Sequence, residues 1–206
     1  NDCGGDQVLS ADANCEAVLP DFSGFIVYDN NCSGITITQS PAAGTIIGAA
    51  TVVEFTLTDA SNNASSCSIN VSLEDNTAPT LNCPAVVNVG TASDACNAVV
   101  TFNITATDNC DNNVTVTQTG GPASGSTFDL GSTTVSFSAT DASGNASDCA
   151  FDVVVSDDVA PVISTCPPNV SVTTDINCEV ETADYTGLVV ASDNCGNVSV
   201  VQDPAP

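Results

Sequence analysis

The stretches Asn103–Cys110 (NITATDNC) and Phe137–Phe151 (FSATDASGNASDCAF) decide the fold of this chain. Counterparts lie about 80 residues earlier, at Val27–Cys32 (VYDNNC) and Phe55–Ile69 (FTLTDASNNASSCSI), and Ala191–Cys195 (ASDNC) begins the pattern again. Self-similarity at a fixed period indicates an array of like modules. The sequence therefore predicts repeats over 1–75 and 76–158, and the N-terminal half of a third over 159–206, which continues beyond the chain or is completed by another chain.

Apolar residues alternate with polar ones in short segments rich in β-branched side chains. Val100, Phe102 and Ile104 form one such series, and turn clusters such as Asp141–Asn145 separate it from the next. The other clear series are Val114 with Val116, Val135 with Phe137 and Ala139, and Phe151 with Val153 and Val155. About seven short strands per repeat predict an all-β chain of tandem immunoglobulin-like β-sandwiches in a linear array.

The charge balance excludes several functions. The chain has 20 Asp, 5 Glu and no Lys, Arg or His, for a formal charge of −25. Nothing can neutralise phosphates, so nucleic acid is excluded as a partner, and no apolar run is long enough for membrane insertion. Without a His general base or a cation to stabilise an oxyanion, the chain is predicted not to be an enzyme.

The cysteines recur with the same period. Zinc binding is disfavoured because the chain has no C-x-x-C pair and no His, so the pattern favours disulfides and an extracellular or cell-surface location. In a sandwich whose first and last strands are parallel, the first and fourth cysteines of a repeat lie at one end. The predicted pairs are Cys3–Cys67, Cys15–Cys32, Cys83–Cys149, Cys96–Cys110 and Cys178–Cys195, with Cys166 unpaired within the chain.

Three motifs at these spacings resemble the hyalin (HYR) repeat: APVISTCP at 160–167, ATDNC at 106–110, and ATDASGN at 139–145 followed by Cys149-Ala-Phe151. The resemblance covers the middle repeat end to end. It implies an immunoglobulin-like module of extracellular adhesion proteins, in a form similar to that of bacterial surface adhesins. The linker EDNTAP at 74–79 is also similar to cadherin linkers, in which calcium stiffens the junction.

Acidic residues are predicted to converge at one end of each module, where the linker, the Asp-Asn-Cys corner and the Asp-Ala-Ser-Gly-Asn turn meet. Carboxylates with backbone carbonyls suit Ca²⁺, which takes six to eight oxygen ligands. The alternative is that each Asp only caps its own turn, and the sequence leaves both open. The candidate ligands are Glu74, Asp75, Asp108, Asp111, Asp141, Asp157, Asp158 and Asp193.

These features predict an extracellular structural or adhesive repeat protein that forms a stalk or filament, stiffened by calcium at the junctions. Its expected partners are neighbouring repeats or chains of the same protein, and possible further partners are carbohydrate or a cell-surface protein. Two alternatives stay open: a self-assembling fibre subunit with strand exchange between chains, and an adhesin module that binds carbohydrate or protein.

Overall fold

The computed structural model describes residues 3–29, 34–203 and 205. No α-helix occurs in these ranges, and single 3₁₀ turns lie at Ser23–Phe25 and Thr186–Leu188. The all-β prediction is confirmed. Numbered in chain order, the strands are β1 Gln7–Ser10, β2 Ala17–Val18, β3 Thr36–Ser40, β4 Ile46–Ile47, β5 Thr51–Thr58, β6 Ala64–Glu74, β7 Thr80–Asn82, β8 Val86–Gly90, β9 Asn97–Val100, β10 Thr105–Thr107, β11 Thr115–Gly120, β12 Ser126–Asp129, β13 Gly131–Thr140, β14 Ala146–Ser156, β15 Val162–Thr165 and β16 Val190–Ser192.

The first four-stranded sheet has the order β1-β6-β5-β3. β1 runs parallel to β6, and the other pairs are antiparallel. The short antiparallel ladder of β2 and β4 forms the opposing layer. Val53, Phe55 and Val71 of the sheet pack in one core with Leu19 and Ile47. Alternate residues of each strand face this core, so two layers enclose it, as in a sandwich.

The second four-stranded sheet has the order β11-β13-β14-β8, and β8 runs parallel to β14. The antiparallel ladder of β9 and β12 supplies Phe128 to the core. The ring of Phe102 packs edge-on against Phe128, Phe137 and Phe151, at centroid distances of 6.4, 5.9 and 5.4 Å. Edge-to-face packing suits the aromatic quadrupole. The immunoglobulin-like sandwich prediction is therefore confirmed.

The series Val100, Phe102 and Ile104 predicts one continuous strand, but the ladder stops after Val100 and resumes at Thr105. The Phe102 N–H donates to Ser124 Oγ at 2.9 Å, and that hydroxyl donates back to the Phe102 carbonyl at 2.7 Å. β9 pairs with β12, whereas β10 pairs with β7. The Ser124 hydroxyl therefore satisfies the backbone N–H and carbonyl of Phe102 at the point where the chain leaves one strand partner for the next.

Contacts between Cα atoms divide the chain into two compact units. The first comprises Asn1–Asn82, Thr105–Thr117 and Ser138–Asp148, and the second comprises the remaining segments. This division differs from the predicted repeats because three segments of the predicted second repeat, 76–82, 105–117 and 138–148, belong to the first unit. The repeat boundaries and the linear array stay predictions. Of the candidate ligands, Glu74, Asp75, Asp108, Asp111 and Asp141 lie in the first unit, and Asp157, Asp158 and Asp193 lie in the second.

Candidate metal centre and the cysteine network

Three loops bring Asp75, Asp108 and Asp141 together. Asp75 follows β6, Asp108 follows β10, and Asp141 opens the turn between β13 and β14. One carboxylate oxygen of each lies within 4.8 Å of the corresponding oxygens of the other two. Asp141 is buried, with 7% of its surface exposed, and the other two are half-buried. Residues up to 66 positions apart in the sequence thus form one acidic cluster. We call Asp75, Asp108 and Asp141 the acidic triad.

Backbone donors occupy one oxygen of Asp75 and one of Asp108. Asp108 Oδ1 accepts from the N–H groups of Cys110 at 2.9 Å and Asp111 at 3.0 Å, and Asp75 Oδ1 accepts from Thr77 N–H at 3.1 Å. The second oxygen, Oδ2, of both residues is buried and has no hydrogen-bond donor. A buried carboxylate oxygen without a donor is costly unless a cation supplies what water would have supplied.

Asp141 is held by Asn145. Its Oδ1 accepts from Asn145 N–H and its Oδ2 from Asn145 Nδ2, both at 2.8 Å, and Nδ2 also donates to the Asp75 carbonyl at 3.0 Å. Burial raises the pKa of Asp141, but the hydrogen bonds from Asn145, Gly144 and Ser143 outweigh it and lower the pKa below its ordinary value. Asp141 is therefore an anion at neutral pH.

The electrostatics of the triad favour a cation. Three carboxylates lie close together, and the whole sequence contains no Lys, Arg or His that could pair with them. Like charges at this separation repel one another, more strongly away from bulk water. Oxygen donors from three separate loops match the irregular coordination that Ca²⁺ accepts, whereas Mg²⁺ requires near-ideal octahedral geometry. The donor-free oxygens of Asp75 and Asp108 fit a bound calcium ion.

Two further predicted ligands in this region lie outside the triad. Asp111 Oδ2 accepts from Ala142 N–H at 2.9 Å, and its Oδ1 accepts from Asn113 N–H at 2.7 Å. Asp111 therefore ties the corner after β10 to the turn that carries Asp141. Glu74 is the exposed last residue of β6, and its backbone carbonyl accepts from Ala11 N–H at 2.9 Å.

The linker after β6 is also tied to the hairpin of β13 and β14. The hydroxyl of Ser147 donates to the carbonyl of Pro79, and Pro79 is itself buried. Together with the bond from Asn145 to the Asp75 carbonyl, this contact fixes both ends of the linker segment 75–79. Hydrogen bonds between protein groups thus hold the loops that carry the acidic triad.

The later acidic residues Asp157, Asp158 and Asp193 form a different arrangement. Asp157 Oδ1 accepts from Thr91 Oγ1 at 3.5 Å and from Val159 N–H at 3.2 Å, and Asp193 Oδ1 accepts from Cys195 N–H at 2.8 Å. The Asp158 carboxylate lies where a Cβ at residue 90 would stand, a space that Gly90 leaves open. In the part of the chain that the structure describes, no triad of acidic ligands forms here.

The asparagine of each Asp-Asn-Cys corner makes long-range contacts that the sequence analysis did not predict. Asn109 Nδ2 donates to the Asp12 carbonyl at 2.9 Å, and Asn194 Nδ2 donates to the Ala92 carbonyl at 2.9 Å and to Thr91 Oγ1 at 3.0 Å. In both residues Oδ1 is buried without a donor. The repetition of Asn before Cys at both corners was the available signal.

The asparagine bonds accompany disulfides that differ from three of the predicted pairs. Cys15 bonds to Cys110, with Cα atoms 4.9 Å apart, instead of to Cys32. Cys96 bonds to Cys195, with Cα atoms 4.5 Å apart, instead of to Cys110. Each corner Asn docks on the turn that carries the earlier cysteine, and this docking brings the two sulfurs together. Cys32 lies outside the described residues.

The predicted Cys178–Cys195 pair is also replaced, and Cys178 is a free, exposed thiol. Cys166 is likewise free and exposed. The structure joins Cys3 to Cys67 and Cys83 to Cys149, which are the pairs expected from parallel first and last strands. Closing a loop of this length stabilises the fold by about 4 kcal/mol on the loop-entropy model.

Comparison with known families gives one match over the centre of the chain. Residues 74–155 match the HYR domain model. This match supports a HYR domain over these residues and says nothing about the rest of the chain. The resemblance inferred from the sequence is supported for this range, whereas a tandem array and a bacterial adhesin form stay predictions. No helix in the described ranges has the length and apolar character needed to cross a membrane.

Two relatives are hyalins. The hyalin of Strongylocentrotus purpuratus is 32% identical over 179 residues, which is 84% of this chain and 15% of that protein. The hyalin of Lytechinus variegatus is 28% identical over 186 residues, which is 84% of this chain and 33% of that protein. The chain thus spans a third or less of the relatives it matches. These relatives and the disulfides indicate an extracellular or cell-surface protein.

Two solved structures show a low overall similarity to this chain. The protocadherin gammaB7 EC3-6 cis-dimer structure aligns with a TM-score of 0.42 and 14% identity. The alignment covers 93% of this chain and 55% of the protocadherin chain. The structure of human CDH23 EC21-23 aligns with a TM-score of 0.43 and 13% identity. The alignment covers 91% of this chain and 77% of the CDH23 chain.

Proposed function

We propose that this chain is a structural element of extracellular adhesion in which Ca²⁺ binds the acidic triad and fixes the linker 75–79. The observation that carries the proposal is the pair of buried, donor-free oxygens, Asp75 Oδ2 and Asp108 Oδ2, beside the buried Asp141. A chain without a single basic side chain needs an external cation to neutralise this cluster.

The capping alternative uses different oxygens. Asp75 and Asp108 each cap their own loop through Oδ1, so Oδ2 is left available for a second role. Capping alone accounts for the loop conformations but not for the burial of the unused oxygens. Both roles therefore coexist in one side chain, which supports calcium binding without removing the hydrogen bonds that shape the site.

A bound ion would act through the chain's own loops. Asp75 belongs to the linker, Asp108 to the corner and Asp141 to the hairpin turn, so one ion would join three segments that are distant in sequence. An ion bound by several loops would hold each loop in one conformation and so lower its conformational entropy. We infer that calcium stiffens this part of a stalk or filament, while the Cys15–Cys110 disulfide holds the same corner covalently.

Calcium titration calorimetry on chelator-stripped protein tests the proposal. We expect one site in the wild type, and an affinity lowered about tenfold or more in Asp108→Asn, because a charged ligand is lost. Asp193→Asn is the matched control, since Asp193 precedes Asn-Cys in the same way but belongs to no triad, and it should keep wild-type affinity. The absence of calcium binding, or an equal loss in both variants, would overturn the proposal.

A further inference from the structure

The turns Asp12–Glu16 and Asp175–Glu179 share the sequence Asp-X-Asn-Cys-Glu and one conformation. In both, Oδ1 of the leading Asp accepts from the N–H groups two and four residues later, at 2.8 and 3.1 Å in the first and at 2.8 and 2.9 Å in the second. Cys15 and Cys178 have φ values of 60° and 65°, a left-handed conformation that is uncommon for a non-glycine residue.

The first turn already has a partner. The carbonyl of Asp12 accepts from Asn109 Nδ2, and Cys15 is bonded to Cys110. The same pairing occurs again where the Ala92 carbonyl accepts from Asn194 Nδ2 and Cys96 is bonded to Cys195. In both places a turn cysteine bonds to the cysteine of an Asp-Asn-Cys corner, and the corner Asn donates to a carbonyl three residues before that cysteine in the first turn and four residues before it in the second. Only the first of the two turns has the Asp-X-Asn-Cys-Glu sequence that the Asp175–Glu179 turn shares.

We infer that the Asp175–Glu179 turn is a receptor for a further Asp-Asn-Cys corner, with Cys178 as the bonding residue. The turn has the hydrogen bonds of its bonded counterpart, yet Cys178 is free and exposed and Ile176 is 98% exposed. The corners that contain Cys110 and Cys195 are already bonded elsewhere. The partner is a further corner of this kind outside the residues that the structure describes, in the same polypeptide or in a second copy.

Bond formation requires an oxidant, and a low-molecular-weight disulfide of the extracellular space supplies it by exchange. The Cys178 thiolate attacks this disulfide, forms a mixed disulfide and releases one small thiolate. The thiolate of the corner cysteine then attacks Cys178 Sγ and releases the second small thiolate. The two cysteines lose two protons and two electrons, and the small disulfide is reduced to two thiols.

The test uses the full chain and a peptide with the sequence of residues 105–115 as the probe, in a glutathione redox buffer that contains chelator. Peptide mapping by mass spectrometry measures the mixed disulfide at Cys178 and at Cys166, which is an exposed thiol of the same chain and serves as the internal control. We expect the probe to form the Cys178 adduct about fivefold to tenfold more than the Cys166 adduct, because only the Cys178 turn offers the docking carbonyl.

Two variants sharpen the result. A probe with Ala in place of its Asn, and the chain variant Asp175→Ala, should each reduce labelling of Cys178 to the level of Cys166. Equal labelling of the two thiols by the original probe, or undiminished labelling by the Ala probe, would overturn the inference. Because chelator is present throughout, this outcome is independent of calcium binding at the acidic triad.

The source of the natural corner is found by non-reducing peptide mapping of the protein isolated from its producing cells. A Cys178-linked peptide within a single polypeptide identifies a corner of the same chain, and one confined to covalent multimers identifies a second copy. Either result supports the inference when the linked peptide contains an Asp-Asn-Cys corner, whereas an unmodified Cys178 thiol or a bond from Cys178 to Cys166 contradicts it.

Discussion

The turns at Asp59–Asn63 and Asp141–Asn145 have nearly the same sequence and the same internal hydrogen bonds, but different surroundings. In each, the Asn donates from its N–H to Oδ1 and from Nδ2 to Oδ2 of the leading Asp, at 2.8 to 2.9 Å. Asp59 is half-exposed and lines a shallow cavity with the exposed Asp29. Asp141 is buried beside Asp75 and Asp108.

The comparison separates local structure from function. An identical turn forms in both places because the capping interactions are contained within five residues. The first turn faces Asp29 of the first corner but belongs to no acidic triad in the described residues, whereas the second turn also receives a linker aspartate and its Asn donates a further bond to the Asp75 carbonyl. The chemistry of the site therefore comes from what packs against the turn and not from the turn itself.

The largest expected difference between the two turns appears on adding calcium. At a hundred times its Kd, a single bound ion stabilises the fold by about 2.7 kcal/mol. For a chain of this size we expect a rise in Tm of about 5–10 °C over the protein in chelator. Asp141→Asn should abolish most of this rise, and Asp59→Asn should leave it intact. Differential scanning calorimetry measures both, and equal sensitivity of the two variants would contradict the distinction.

A smaller difference is expected from the asparagines, measured in chelator by urea unfolding. Asn145→Ala removes the donor to both Asp141 and the Asp75 carbonyl in a buried setting, so we expect the free energy of unfolding to fall by about 2 kcal/mol. Asn63→Ala removes only exposed bonds within its own turn and should cost below about 1 kcal/mol. If the two costs are the same, the bond from Asn145 to the linker is not important for stability.

The pH dependence should be similar in the two turns. Hydrogen bonds from Asn63 lower the pKa of Asp59, and those from Asn145 and its neighbours outweigh burial and lower the pKa of Asp141, both from a reference value of 3.8. A depressed folded-state pKa gives stability that is present above the unfolded pKa and is lost as the pH falls through the folded pKa. We therefore expect both carboxyls to titrate below pH 3.8 in carbon-detected NMR, and Asn63→Ala to raise the pKa of Asp59 alone.

The smallest effect concerns the fourth position of each turn. Gly144 and Asn62 both have positive φ, 91° and 66°, and a Cβ at Gly144 would meet no atom within 4 Å. Asn tolerates the left-handed region, so Gly144→Asn should change the free energy of unfolding by about 0.5 kcal/mol or less. Gly144→Val should cost above about 1 kcal/mol because a β-branched residue is strained there. Equal effects in urea unfolding would show that φ does not limit this position.

The strands were predictable where alternation follows burial. Val135 and Phe137 of β13, and Phe151 and Val153 of β14, face the core as the period of two requires. The interruption after Val100 was not predictable, because it depends on a hydroxyl 22 residues away that replaces ladder bonds at Phe102. A long-range side-chain contact of this kind leaves no local signal.

The acidic triad followed from the sequence because three predicted ligands occur at loop positions that sandwich topology brings together. The disulfides Cys15–Cys110 and Cys96–Cys195 did not, because the criterion of nearness in sequence predicts pairs within one repeat, whereas these partners lie 95 and 99 residues apart. Asn109 overrides that criterion by docking on the carbonyl of Asp12, 97 residues away. Asp157 and Asp193 occur in similar linker and corner motifs but form no triad in the described residues, because the hairpin turn that carries Asp141 has no counterpart there.

The parallel first and last strands have a consequence for mechanical load. A pull along the polypeptide reaches Cys83 just before β8 and passes through its disulfide to Cys149 in β14, so the hydrogen bonds between the parallel strands β8 and β14 are shielded from shear. The disulfide from Cys83 to Cys149 spans 66 residues, so about 220 Å of extended chain cannot be pulled out while it is intact. Cys3–Cys67 does the same for the first sandwich. Under tension such a chain yields at most a short length at its ends and then behaves as an inextensible tether.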